Sequence, residues 1–183
     1  MFGAPIDLGV ICGRFQPFHL GHAEYLASAK AKCRKLVVGI TNPDPGSWVE
    51  SSEAPHRHLE DSNPFTYFER MAMIRAALPD LGILDSDVAY VPFPLLAPHL
   101  LQYYVPKTAC IFVTIYASWG ATRFDLLRRE GFTVEVLWQR VGADRIITGS
   151  LVRSAIRKKD LWHHFVPRST VSVIESIISG RKL

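Results

Sequence analysis

The chain has 183 residues, 48% of them hydrophobic and 21% charged, with a net charge of +4 at neutral pH. That length predicts a single domain over residues 1–183, and that composition excludes an intrinsically disordered chain. No apolar run approaches a membrane span, no basic run carries a nucleic-acid signature, and the opening MFGAPIDLGVICG lacks the basic region of a secretion signal, so the expected setting is cytoplasmic. The three cysteines, Cys12, Cys33 and Cys110, are an odd number without CxxC spacing. They read as buried thiols rather than a disulfide framework or a zinc site.

In chain order, Asp7–Cys12 predicts a buried strand and Leu20–Cys33 a helix. Lys35–Thr41 (KLVVGIT) predicts a second strand. Thr66–Leu78 predicts a helix, with Thr66 and Glu69 as a capping box and Phe68, Met71, Ile74 and Leu78 at helical spacing. Val88–Phe93 and Cys110–Ile115 predict two more strands. Trp119–Glu130 predicts a helix that Gly131 ends, and Thr133–Trp138 a fifth strand. Ser150–Lys158 and Ser169–Ser179 predict the last two helices. The apolar face of the last one is open to packing on its own sheet or on a second copy of the chain. Alternating strands and helices predict an α/β fold: a Rossmann-like open parallel five-stranded sheet with helices on both faces. Such sheets bind ligands at the carboxyl ends of their strands, where the strand order reverses. One segment breaks the alternation: Asn42–Asn63, rich in proline, serine and charge, joins the second strand to the Thr66 helix over the expected crevice.

GxGxxG, the P-loop pattern, a nucleophile elbow and HExxH are all missing from the sequence. What stands at the end of the first strand is GRFQPFHLGH. Gly21 permits close approach of backbone to a ligand at a helix start, where free amides favour phosphate, and His19 and His22 can donate to phosphate oxygens. A second stretch, ITGSLVR, sets Thr148 and Ser150 before a helix with Arg153 one turn in. Taken alone it is either a plain cap with a surface arginine or a pyrophosphate site; paired with HxGH, phosphate binding is the better account.

Together GRFQPFHLGH and ITGSLVR resemble the nucleotidyltransferase superfamily with HxGH and ISxTxxR motifs. The long first motif and NPFTYFER (Asn63–Arg70) are similar to archaeal-type nicotinamide-mononucleotide adenylyltransferases. The middle of the chain departs from those: TIYASWGATRFDLL stands where they carry a glycine–asparagine–proline-like segment. GITNPDP, TYFER, TIYASWG and VEVLW look more like cytidylyltransferases of phosphonate biosynthesis, including phosphonoformate cytidylyltransferases. The resemblance implies transfer of CMP from CTP to a small phosphonate such as phosphonoformate, with release of pyrophosphate. The alternatives are adenylyl transfer from ATP to nicotinamide mononucleotide and, in a different class, a non-catalytic nucleotide-binding module. A class I aminoacyl-tRNA synthetase ranks lower, because no KMSKS-like segment is present.

The implied roles follow. His19, His22 and Arg153 are catalytic, stabilising charge on the transferring phosphoryl group. Gly13, Arg14, Phe15, Gly21, Thr148, Gly149 and Ser150 line the nucleotide and its phosphates. Gln16, His56, Arg57, His58, Arg70, Trp119 and Arg123 are acceptor candidates. For Gln16 the competing role is turn support, for the His56–His58 cluster a solvated loop, and for Trp119 the core. Mg²⁺ is the expected cofactor, bound mainly through substrate phosphates, with no protein metal site. The expected partners are a nucleoside triphosphate and a small anionic acceptor, with no nucleic acid and no membrane.

Overall fold

A computed structural model describes residues 6–50, 58–116, 118–140 and 147–181, the side chains of 118–120 aside. Five strands form one sheet: β1 (Ile6–Gly13), β2 (Cys33–Ile40), β3 (Val88–Pro92), β4 (Cys110–Ile115) and β5 (Thr133–Gln139). Among the described residues five α-helices accompany them: α1 (Leu20–Lys30), α2 (Tyr67–Ala77), α3 (Ser118–Arg129), α4 (Gly149–Lys158) and α5 (Arg168–Ser179). The strand order is β3-β2-β1-β4-β5, every pair parallel. The chain runs outward from β1 to β3, then crosses back to β4 on the other side. The carboxyl ends of β1 and β4 therefore flank the point where the order reverses, which opens a crevice there.

Residue period fixes which side chain faces which layer. Ile11, Leu36, Val38 and Phe112 join one core with Leu26, Met73, Ile74, Val152 and Ile174 from α1, α2, α4 and α5. Their strand neighbours Val10, Val37, Ile111 and Val113 join the opposite core with Leu127 of α3 and with Phe93, Leu101 and Val105. Burial on both faces is why these strands read as continuous apolar runs.

The structure departs from expectation at the boundary of α1 and β2, and it adds an irregularity in β5 that the strand pattern does not report. Helix α1 ends at Lys30 rather than at Cys33, because Cys33 opens β2 opposite Ile6. There its side chain is 5% exposed, and two-sided burial in the sheet outweighs one more turn of helix. In β5 the pairing slips: Val113 faces Val136, but Thr114 faces Trp138. Such a bulge re-aims the strand end, and here it brings the Trp138 Nε1–H onto the Tyr116 hydroxyl at 2.9 Å. The three cysteines are buried free thiols. Among the described residues no helix is long and apolar enough to cross a membrane.

Candidate active site

A cavity of about 580 Å³ opens at the carboxyl ends of β1 and β4. Its walls come chiefly from the loop after Gly13 with the first turns of α1, the start of α4, and the end of β4 with Arg123 of α3, and Thr41, Ser62, Leu95 and Arg140 complete them.

His19 is the N-cap of α1, with extended backbone (φ −136°, ψ 172°), and His22 sits in the first turn. Their rings stack with centroids 3.6 Å apart, 22° from parallel. The His19 N–H donates to His22 Nδ1 at 3.4 Å. An Nδ1 that accepts leaves the proton of the neutral ring on Nε2, so His22 offers a donor on its far side. Phe15 meets the His22 ring edge-on at 4.9 Å, and Phe18 lies 5.8 Å away at 28°. Gly21 makes room for the pair: a Cβ there would sit 3.2 Å from His19 Cε1.

Helix α4 faces them. Thr148 caps it, its Oγ1 accepting from the Leu151 N–H at 3.1 Å. Arg153, one turn in, is 7% exposed. Its Nη1 donates to the Gln16 carbonyl at 2.7 Å and its Nη2 to Ser150 Oγ at 3.2 Å. Two of its five N–H groups are thus used by the protein. Burial lowers its pKa, the neighbouring Arg157 lowers it further, and Asp61 opposes both. Gly149 lets the helix start approach the β1 loop, since a Cβ there would lie 2.7 Å from the Gln16 carbonyl oxygen.

Two more cations line the cavity toward β2 and α3. Arg14 donates from Nη1 to the Ser62 carbonyl at 3.3 Å. Arg123, 7% exposed, donates from Nη2 to the Thr114 carbonyl at 3.2 Å. Beside it, burial pushes the Cys12 thiol up while Arg123 pulls it down.

Two acceptor candidates have their polar atoms elsewhere. The Gln16 side chain forms a two-way pair with the Phe65 backbone, Nε2 donating to the carbonyl at 2.8 Å and Oε1 accepting from the N–H at 3.0 Å. Only turn support is left to that side chain; the cavity meets Gln16 through its main chain. Arg70 is 1% exposed and does not line the cavity. Its guanidinium donates to the carbonyls of Thr66 (3.1 Å), Arg14 (2.9 Å), Thr41 (2.7 Å) and Asn42 (2.8 Å). Burial lowers its pKa to about 10, with Tyr67 and Glu69 opposing. A guanidinium enclosed in this way cannot reach an acceptor. His58 is half-buried and outside the cavity lining. His56, Arg57 and the Trp119 side chain lie outside the described residues.

Sequence reading missed one charged pair of the lining. Arg140, just past β5, grips Glu24 of α1 with both ends, Nη1 to Oε2 at 3.0 Å and Nη2 to Oε1 at 2.6 Å. Its guanidinium also lies 4.7 Å over the Trp138 ring. The hydrogen bond from Arg140 holds the Glu24 carboxyl below its usual range, against an upward push from burial. Among the described residues Glu24 is the one carboxylate of the lining, and Arg140 engages both of its oxygens. No cluster of three or more metal-ligating side chains occurs among the described residues. Among the described residues the lining thus sets four arginines and two imidazoles against one carboxylate, which Arg140 already pairs, and this suits anions.

Stacked histidines at one helix start, facing an arginine at another across the reversal point of a parallel sheet, define a nucleotidyl-transfer architecture. The chain belongs to the cytidylyltransferase-like family, whose model matches residues 10–165. It is 43% identical over 167 residues to the phosphonoformate cytidylyltransferase of Streptomyces viridochromogenes, covering 91% of this chain and 90% of that one. It is 28% identical over 178 residues to the nicotinamide-nucleotide adenylyltransferase of Saccharolobus solfataricus, covering 96% and 94%. Among solved structures, a bifunctional NMN adenylyltransferase/ADP ribose pyrophosphatase from Francisella tularensis matches with a TM-score of 0.64 at 17% identity, over 94% of this chain and 50% of that one. At that identity the likeness shows the shared fold.

Proposed function

We propose that this chain transfers CMP from CTP to a small phosphonate such as phosphonoformate and releases pyrophosphate. The observation that carries this reading is the 43% identity, across 91% of the chain, to a phosphonoformate cytidylyltransferase. The cavity supports it, because a small dianion needs cations more than a stacking slot, and Arg14 and Arg123 are in the lining.

In the proposed step an acceptor oxygen attacks the α-phosphorus as the bond to pyrophosphate breaks. The oxygen is already ionised near neutral pH, so no general base and no enzyme nucleophile is required. The residues act by positioning and by neutralising charge. His22 donates from Nε2 to an α-phosphoryl oxygen, and His19 supports the same group from the N-cap. Thr148, Ser150 and the remaining Nη N–H groups of Arg153 hold the β- and γ-phosphates, with the free amides of the α4 start beside them. His56, Arg57 and Trp119 stay acceptor candidates on sequence grounds.

A Mg²⁺ ion, when bound, would neutralise triphosphate charge. The chemistry of the lining suits an ion carried on phosphate oxygens and water, since its one carboxylate is gripped by Arg140.

Pyrophosphate release, measured with CTP and with ATP against both phosphonoformate and nicotinamide mononucleotide, tests the proposal. The expected result is turnover with CTP and phosphonoformate. Turnover confined to ATP and nicotinamide mononucleotide would overturn the choice of base and acceptor. Wild-type levels of turnover in His22→Ala would overturn the catalytic assignment.

A further inference from the structure

We infer that Arg70, which lies outside the cavity lining, is a positioning residue for nucleotidyl transfer, acting through Phe15 on His22, while Phe65 of the same segment holds the neighbouring Gln16 that receives Arg153. Four of its five N–H groups are committed to main-chain carbonyls, three of them at the carboxyl ends of β1 and β2. Two of those carbonyls immediately precede residues in the left-handed region. Arg14 precedes Phe15 at φ 54°, and Thr41 precedes Asn42 at φ 50°. A bulky aromatic residue rarely takes that conformation, and it persists where the surroundings over-determine it. The bond from Arg70 to the Arg14 carbonyl fixes the peptide plane about which Phe15 turns.

Phe15 in turn supports a histidine of the site. Its ring backs His22 edge-on at 4.9 Å. The next carbonyl along, that of Gln16, receives Arg153 at 2.7 Å, while the Gln16 side chain is tied to Phe65. Phe65 and Arg70 belong to the same segment, the turn and first helical turn after the long loop. One buried guanidinium and one buried amide thus set the peptides that orient both halves of the phosphate site. Arginine suits the task because its planar fork spans several carbonyls at once, which a lysine ammonium cannot do.

The inference rests on the nucleotidyl-transfer reading but not on the base or the acceptor. Wild-type turnover with any pair of substrates tests that reading. The comparison of variants with wild type, and a signal that needs no turnover, test this one. Arg70→Lys is compared with Thr170→Val, which removes the Thr170 Oγ1 bond to the Met73 carbonyl (3.1 Å) between α5 and α2, away from the cavity. The expected result for Arg70→Lys is a fall in kcat of about 10- to 100-fold, with KM for the triphosphate within about threefold of wild type, as for a misplaced catalytic group. The ¹⁵N signals of the His22 ring shift in the ligand-free protein. Thr170→Val, adjusted to equal thermal stability, keeps its kcat and its His22 signals. An equal kcat loss in Thr170→Val, or unmoved His22 signals in Arg70→Lys, overturns the inference. If Arg70→Lys does not fold, Phe15→Leu examines the same path from its other end, because it leaves the carbonyls in place and removes the ring behind His22. Loss of kcat with little change in KM is expected there, and an unchanged kcat overturns the path.

Discussion

Gly149 carries the sharpest constraint on a single residue in the site. A methyl group there would lie 2.7 Å from the Gln16 carbonyl oxygen and 3.2 Å from Arg153 Nη1. The carbonyl belongs to a loop fixed by Arg70 and Phe65, so the start of α4 has to move instead. Gly149→Ala is expected to lose about 1–3 kcal/mol of stability, as overpacking does, and to lower kcat by displacing Arg153. Urea denaturation and steady-state rates measure the two effects; unchanged values of both would contradict the close approach. Arg153→Ala is expected to lower kcat by roughly 10²–10³, the usual effect of removing one electrostatic contact to a developing charge. His19, His22 and Arg153 were legible in the sequence because glycine, strand end and helix start coincide around them. For Gln16 turn support was already the competing reading, whereas Arg70 was read only as an acceptor candidate; both turn to the backbone. Their partners Phe65 and Arg14 lie 49 and 56 residues away, and local spacing carries no sign of which polar side chain a fold turns to its own backbone. The Glu24–Arg140 pair, separated by 116 residues, had no local signal at all.

At the scale of elements, the strands and helices were legible because apolar period separates them, and the overrun at the end of α1 came from pairing with β1, which period does not report. Helix caps were readable where they are local. Thr66 caps α2 as its sequence predicts, its Oγ1 accepting from the Glu69 N–H at 3.3 Å. Helix α5 is different. Pro167 stands at its N-cap and has no side-chain donor or acceptor to offer. Asp80, 89 residues away, supplies the cap by accepting from the Ser169 N–H at 2.9 Å and Oγ–H at 2.6 Å. The Ser169 side chain, then its N–H, hold the Asp80 carboxyl below its ordinary value, with burial opposing and Arg168 assisting. A carboxyl depressed in the folded state stabilises fully above its unfolded pKa, and that contribution is lost as pH falls through the folded value. The stability difference between wild type and Asp80→Asn should therefore be steady near neutral pH and shrink below about pH 4, where an unperturbed Asp titrates. Denaturation curves across that range check it, and a difference that grows on acidification would contradict the cap.

Over the whole molecule, alternation made the parallel sheet legible, and the reversal point then gave the site its place. Three of the acceptor candidates, His56, Arg57 and His58, sit in a long connection whose course no period encodes. The topology has a thermodynamic consequence. The two helix starts proposed to hold the phosphates approach from chain positions near 20 and near 150, and in the ligand-free protein Arg153 reaches the β1 loop through the Gln16 carbonyl. A triphosphate lying between them would bind the folded chain and not the unfolded one. At a concentration 100 times its Kd it would stabilise by about 2.7 kcal/mol. For a chain of this size that corresponds to a rise in Tm of about 5–10 °C. Differential scanning fluorimetry with the favoured triphosphate should show that rise. Arg153→Ala, at the same ligand concentration, should lose most of it, because the phosphates then lack their buried cation. A full shift retained in Arg153→Ala would mean that the triphosphate binds elsewhere, and that the two helix starts do not share one ligand.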